Sequence, residues 1–235
     1  MDSDSTYFVA AGPDPARALV RAGLWDHALA VLPAGAGALA GRAQILADRF
    51  WWRLDDPAAA EAAVTALAAT DPVLARFCAA QLAYTRLVFR TGTRPGDEDL
   101  AEDGFTAGAG DERIAGWGMF WLGVLADLVQ DNPAGAVSRY TQALVWARDQ
   151  SDLMLESYAV RHLGDHALQA ADAGGLDLLR RSYQLRAALG ARPHTAAAAA
   201  TLADALPDGT EGGQLREAAR LTARELGLTW LLGTL

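Results

Sequence analysis

The sequence predicts an all-α fold built of antiparallel helix hairpins, and three observations carry that prediction. Alanine, leucine and arginine dominate the chain, and all three are good helix formers. Isoleucine occurs only at Ile45 and Ile114, so the β-branched richness of a sheet protein is missing. Proline and glycine cut the chain into pieces of helix length. Half of the 235 residues are hydrophobic, enough for a buried core and too many for general disorder. That length fits one compact domain or a short repeat array.

Taken in order, the polar start 1–13 reads as a flexible N-terminus. Asp14-Pro15 opens a brief helix ending near Gly23, and a second runs from Leu24 to Leu32, where Pro33 stops it. Ala34 to Gly41 is a small, flexible connection. The next helix carries Ile45, Leu46, Phe50, Trp51 and Leu54. Asp56-Pro57 and Asp71-Pro72 each place an N-cap aspartate before a proline at the first helical position. The second of these begins a long helix through Phe77, Leu82, Tyr84 and Phe89. Residues 91–110, rich in glycine and acid, read as an irregular insertion: a loop with one short helix between Glu98 and Ala107. Regular helices are then expected at about 112–130, 134–149, 152–172, 176–189, 194–206 and 212–226, divided by short turns such as Asp131-Asn132-Pro133. Such short connections make neighbouring helices pack as antiparallel hairpins.

The second helices share a spacing. Ala60, Val64, Leu67 and Pro72 set it, and Ala136, Tyr140 and Ala143 repeat it; Gly175, Leu179 and Ser182 give it a third time. A small residue admits a close helix approach, and a large one four positions on fills the groove. Leu122-Gly123 and Leu163-Gly164 supply the matching small position on the first helices. These residues resemble the tetratricopeptide (TPR) family over about 111–230 and again over 39–90. The helix endings Arg181 to Gly190 and Leu221 to Leu228 look like those of TPR arrays in actinobacterial regulators. The resemblance implies a right-handed superhelix over 14–235 as one domain. It departs from the family where Met119 and Ala126 occupy the usual tryptophan and tyrosine sites. All twenty basic residues are arginine and Asn132 is the only asparagine, a bias that fits a high-GC bacterial genome.

The net charge of −9 argues against a general nucleic-acid binder, which needs a basic face to displace phosphate counterions. The acidic start Met1 to Thr6 has no basic n-region before an apolar stretch, and no run approaches the roughly 18 apolar residues of a membrane span. A cytoplasmic protein with no membrane contact is expected. Cys78, the only cysteine, sits in an apolar helix as an inert buried thiol does.

TPR arrays bind peptides in a concave groove lined by first helices. Counted from the Leu-Gly pairs, the resemblance puts Trp117, Phe120, Val124 and Asp127 in that groove, followed by Tyr158, Arg161, Asp165 and Leu168. Earlier first helices offer Arg42, Arg49, Trp52, Arg76 and Arg86. Arginine forks beside aromatics suit a carboxylate or an acidic peptide; the plainer alternative is core aromatics and ordinary surface ion pairs. Trp51, Trp52, Trp117 and Trp121 fall on two first helices, where they either wall a site for an apolar small molecule or fill a core built mostly of alanine. His162 and His166 lie four apart on one helix, a spacing that can chelate a metal, but no third ligand is evident. The run Asp97 to Asp103 reads as a solvated charge cluster, and the glycines from Gly104 to Gly110 lack the ending of a phosphate loop. No catalytic constellation or cofactor motif stands out. The expected role is a non-catalytic adaptor for a protein or peptide; the alternative is a small-molecule-binding or enzymatic protein using a tryptophan-lined cavity. The apolar segment Leu228 to Leu232 must cap the last hairpin or meet a second copy in a homodimer.

Overall fold

Aspartate and asparagine caps fix several helix starts, including those announced by Asp71-Pro72 and Asn132-Pro133, whereas at Asp56-Pro57 the helix begins one residue later, at Ala58. Asp71 accepts from the Leu74 amide, Asn132 from Gly135 and Asp152 from Leu155, at 3.0, 3.0 and 2.9 Å, satisfying amides that have no intrahelical partner. The computed structural model describes residues 14–206 and 209–235, so the expected flexible stretch 1–13 lies outside the described residues. Among these, every regular element is helical, and no helix is long and apolar enough to cross a membrane.

The chain runs through α1 (Asp14–Arg21), α2 (Trp25–Val31), α3 (Leu39–Arg53), α4 (Ala58–Leu67), α5 (Pro72–Phe89) and α6 (Asp97–Ala109). It continues with α7 (Ala115–Leu128), α8 (Pro133–Asp149), α9 (Leu153–Gln169), α10 (Gly174–Ala188) and α11 (Arg192–Asp204). The last two are α12 (Thr210–Leu226) and the short α13 (Thr229–Leu232). The connection expected to be flexible at 34–41 holds a 3-10 turn at Ala36–Ala38 and the start of α3.

Consecutive helices pack on one another, most extensively α5 on α6, α7 on α8 and α9 on α10. The spaced small residues do the work expected of them. A Cβ on Gly123 would lie 2.7 Å from the Tyr140 ring, and one on Gly164 would lie 2.9 Å from the Gly175 carbonyl oxygen. Tyr140, Leu179 and Leu67 are correspondingly buried at these seams.

The insertion at 91–110 differs from expectation. Residues 97–109 form the full helix α6. Asp97, Glu98 and Asp99 occupy its first turn, where carboxylates favour the helix dipole. Gly104 and Gly108 are contact points: a Cβ would strike the Arg76 carbonyl at the first and the Phe77 ring at the second. Glycine here serves close packing on α5, the opposite of a loop. Asp97 also leaves the solvated cluster. It is 3 % exposed and accepts from Arg86 Nε at 3.0 Å and from the Arg94 amide at 2.8 Å, whereas Glu98, Asp99, Glu102 and Asp103 are exposed.

The array closes on itself. Gly23 approaches Leu226 and Pro193, Trp52 meets His194 edge-on at 4.9 Å, and α13 packs on α3. Leu228 and Leu231 are buried, and Trp230 stacks on Trp52 at 5.5 Å and on Phe89 at 5.9 Å. The segment Leu228 to Leu232 therefore packs on the chain to which it belongs through Leu228, Trp230 and Leu231, while Leu232 stays 38 % exposed.

Candidate functional site

Closure leaves a cavity of about 390 Å³ inside the array, within the range of small-molecule sites, roughly 300–1,000 Å³. Alternate helices supply its wall: Trp51 and Trp52 from α3, Tyr84 and Phe89 from α5, Phe120 and Trp121 from α7, and Tyr158 from α9. Trp230 from α13 completes the aromatic lining, and Ala197 and Ala200 of α11 leave the space open. The rings pack edge to face with one another, Trp51 against Trp121 at 5.9 Å and Tyr84 against Trp121 at 5.4 Å. Each ring is thus held by its neighbours, as a preformed site requires. Leu128, 57 % exposed, lines the cavity too, as do the exposed Asp204 and Thr234, so the space reaches the surface beside them.

The polar groups on the wall are Arg161, His162, Arg186, Thr201, Asp204 and Thr234. Arg186 is 4 % exposed. Its Nε donates to Ser157 Oγ at 3.2 Å, its Nη1 donates to the His194 carbonyl at 3.2 Å, and its guanidinium lies 4.5 Å over the Tyr158 ring. Burial lowers its pKa to about 10, with Tyr158 acting in the opposite direction. Arg161 pairs with Asp165 at 3.2 Å and lies against both ring nitrogens of His162 at 3.3 and 3.2 Å. Burial, and then Arg161 and Arg186, hold the His162 imidazole well below its usual range, and therefore neutral. Burial raises the Asp165 carboxyl against the pull of Arg161.

No protein-family model and no curated protein matches the chain. What the cavity can do follows from its own walls: stacked rings to hold an apolar body, and a few fixed polar groups to orient it.

Beside the cavity lies a second void of about 10 Å³, sharing Trp51, Trp121 and Tyr158 and reached by Asp48; that is the size of one water. Asp48 accepts from both Trp25 Nε1 at 2.6 Å and Trp52 Nε1 at 3.1 Å. Burial raises its carboxyl to about 7 although both indoles hold it down.

Of the residues picked from the sequence, Trp52, Phe120, Tyr158 and Arg161 meet at the cavity, with Val124 beside them. The others are used elsewhere. Trp117 is 1 % exposed and donates to Asp152 Oδ2 at 2.9 Å, which makes it a core residue and corrects its place in a groove. Arg86 is buried between α5 and α6, paired with Asp97 and 3.4 Å from Glu61, so it too is unavailable to a partner. Arg49 pairs with Asp26 and Asp55. Arg76 is exposed on α5, away from the cavity lining. Asp127 accepts from Tyr140 Oη at 3.0 Å and pairs with His166 at 3.1 Å, with His162 at 3.9 Å. His162 and His166 thus turn to a carboxylate between them, and among the described residues no group of three or more acids, histidines or cysteines is placed to hold a metal ion. Cys78 is buried, and burial pushes its thiol up to about 12.

Sequence reasoning missed Tyr84, Phe89, Arg186 and Trp230. The register set by the Leu-Gly pairs covers first helices alone, while Arg186 stands on a second one. A signal was present: Leu179, Ser182 and Arg186 are spaced three and four apart, which puts an arginine on the buried stripe of α10.

Proposed function

We propose that this protein is a non-catalytic binding protein whose aromatic cavity takes a small molecule with a largely apolar body. The observation that carries the proposal is the space itself: about 390 Å³ between stacked rings, reaching the surface at Leu128. Aromatic walls with a few convergent polar groups are the usual make-up of a ligand site. With the TPR resemblance, the chain reads as a hairpin array whose inner helices have closed around a ligand, and a cytoplasmic setting goes with that reading. Purified protein extracted with organic solvent and analysed by mass spectrometry should yield a molecule at near-stoichiometric amount, and Trp121→Ala should lose it. Failure to retain any molecule, together with no heat of binding for apolar probes, would remove the proposal.

A second reading, the adaptor for a peptide, is favoured by one feature: Leu128 makes an apolar lip where the cavity opens. In that case the occupant is the terminal side chain of a peptide, and a capture experiment should retain a protein that Trp121→Ala releases.

A further inference from the structure

Arg186 is anomalous for a buried cation. A guanidinium taken out of water needs an anion or a full set of acceptors to offset the lost hydration. Arg186 has neither. No carboxylate among the described residues lies within 4 Å of it, its two acceptors are a serine hydroxyl and a backbone carbonyl, and Nη2 donates to nothing among the described residues. The side chain is 4 % exposed and yet lines the cavity. Its plane is fixed by Ser157, His194 and the Tyr158 ring beneath it.

The charges around it point the same way. The lining carries Arg161 and Arg186 with a single acid, Asp204. Asp204 has a 75 % exposed side chain and pairs outward with Arg216 at 3.1 Å. Asp165 is tied to Arg161, and Asp127 is engaged by Tyr140 and His166; neither lines the cavity. The wall is therefore positive, and a cage of rings facing two guanidiniums repels a cationic guest. Arginine's planar fork matches a carboxylate.

We propose that Arg186, with Arg161 beside it, holds the carboxylate of an organic acid whose apolar body lies against the cavity's tryptophans. This rests on the ligand-binding reading above and adds the class of ligand and the residue that selects it.

The test is calorimetric titration of the full chain at pH 8 with three probes of one alkyl length: decanoate, decanol and decyltrimethylammonium, each below its aggregation threshold. Tryptophan emission serves as a second readout. Decanoate should bind about tenfold to a hundredfold more tightly than decanol, with the cation weakest. Arg186→Met should remove most of the preference for decanoate over decanol, Arg161 keeping a remainder, and an unchanged circular dichroism spectrum shows that the variant is folded. Arg186→Lys, keeping the charge, should retain part of the preference. Equal affinity for all three probes, or a preference for the cation, overturns the carboxylate while leaving the cavity a binding site. A preference that survives undiminished in Arg186→Met and disappears in Arg161→Met overturns the assignment to Arg186. Binding of none of the probes overturns both this inference and the ligand-binding reading.

Discussion

Replacing Asp97 by alanine tests the least expected part of the fold, the seating of α6 on α5. Asp97 accepts from Arg86 Nε and Nη2 and from the Arg94 amide, and it leaves Arg86 only 3 % exposed. In Asp97→Ala that guanidinium keeps one long contact, to Glu61 at 3.4 Å. Removing one partner of a buried pair costs about 3–5 kcal/mol, because a charge is stranded. A chain of this size shifts its Tm by about 2–4 °C per kcal/mol, so a fall of about 6–20 °C is expected. Urea denaturation at pH 7 followed by circular dichroism measures the same loss directly. Arg86→Met/Asp97→Ala should be more stable than Asp97→Ala, since no charge is then left alone. The effect also carries a pH sign. Burial pushes the Asp97 carboxyl up, but the Arg86 hydrogen bonds outweigh this and hold it below its ordinary 3.8. The contribution is present above pH 3.8 and is lost as pH falls through the lowered value. A cost below about 1 kcal/mol at pH 7, the range of exposed ion pairs, would mean that the pair is not buried and that α6 is not seated as described.

Three further outcomes are expected. Gly123→Ala should destabilise by about 1–3 kcal/mol in denaturant titration, since the added Cβ lies 2.7 Å from the Tyr140 ring and must push helices apart; a neutral result would show that the α7–α8 seam is loose. Asp48 reverses the usual behaviour of aspartate: its folded value of about 7 exceeds its ordinary 3.8, so unfolding free energy should fall between those pH values by about 2–4 kcal/mol, the lower figure allowing for solvent at the partly buried carboxyl. Asp48→Asn should flatten that fall, and an unchanged slope would assign it to other groups. Deleting residues 228–235 should shift tryptophan emission to the red, because Trp51 and Trp52 lose the Trp230 ring that stacks near them; emission that stays put would show that the cavity wall does not depend on α13.

The helices were legible because their boundaries are chemical. An Asp-Pro or Asn-Pro pair states where a helix begins, and α5 and α8 start at Pro72 and Pro133 as those pairs predict. Helix α6 was not legible because glycine has two uses. The spacing of four between Gly104 and Gly108 puts both on one face, toward Arg76 and Phe77, yet composition alone reads such glycines as breakers. The cavity was half legible. Counting from the Leu-Gly pairs grouped Phe120, Tyr158 and Arg161, which share the cavity wall, while Trp117, one turn before Phe120, reaches Asp152 and the core. Arg86 and Arg186 look alike in sequence, since apolar residues follow both on a helix. Only the fold gives one of them Asp97 and leaves the other without a carboxylate.

The clasp between α13 and α3 sets the order in which the molecule can be finished. Translation delivers α3 early and α13 after every other helix described, and domains begin to organise while synthesis continues. Until residue 230 is available, Trp52 lacks its stacking partner and Trp51 a tilted neighbour, and the cavity lacks part of its wall. On the ligand-binding reading proposed above, a guest would meet a wider entrance during biogenesis than in the finished molecule, whose exposed lining is Leu128, Asp204 and Thr234. Loading and release would then be asymmetric in time, with a molecule captured by the nascent chain held through closure of α13 on α3.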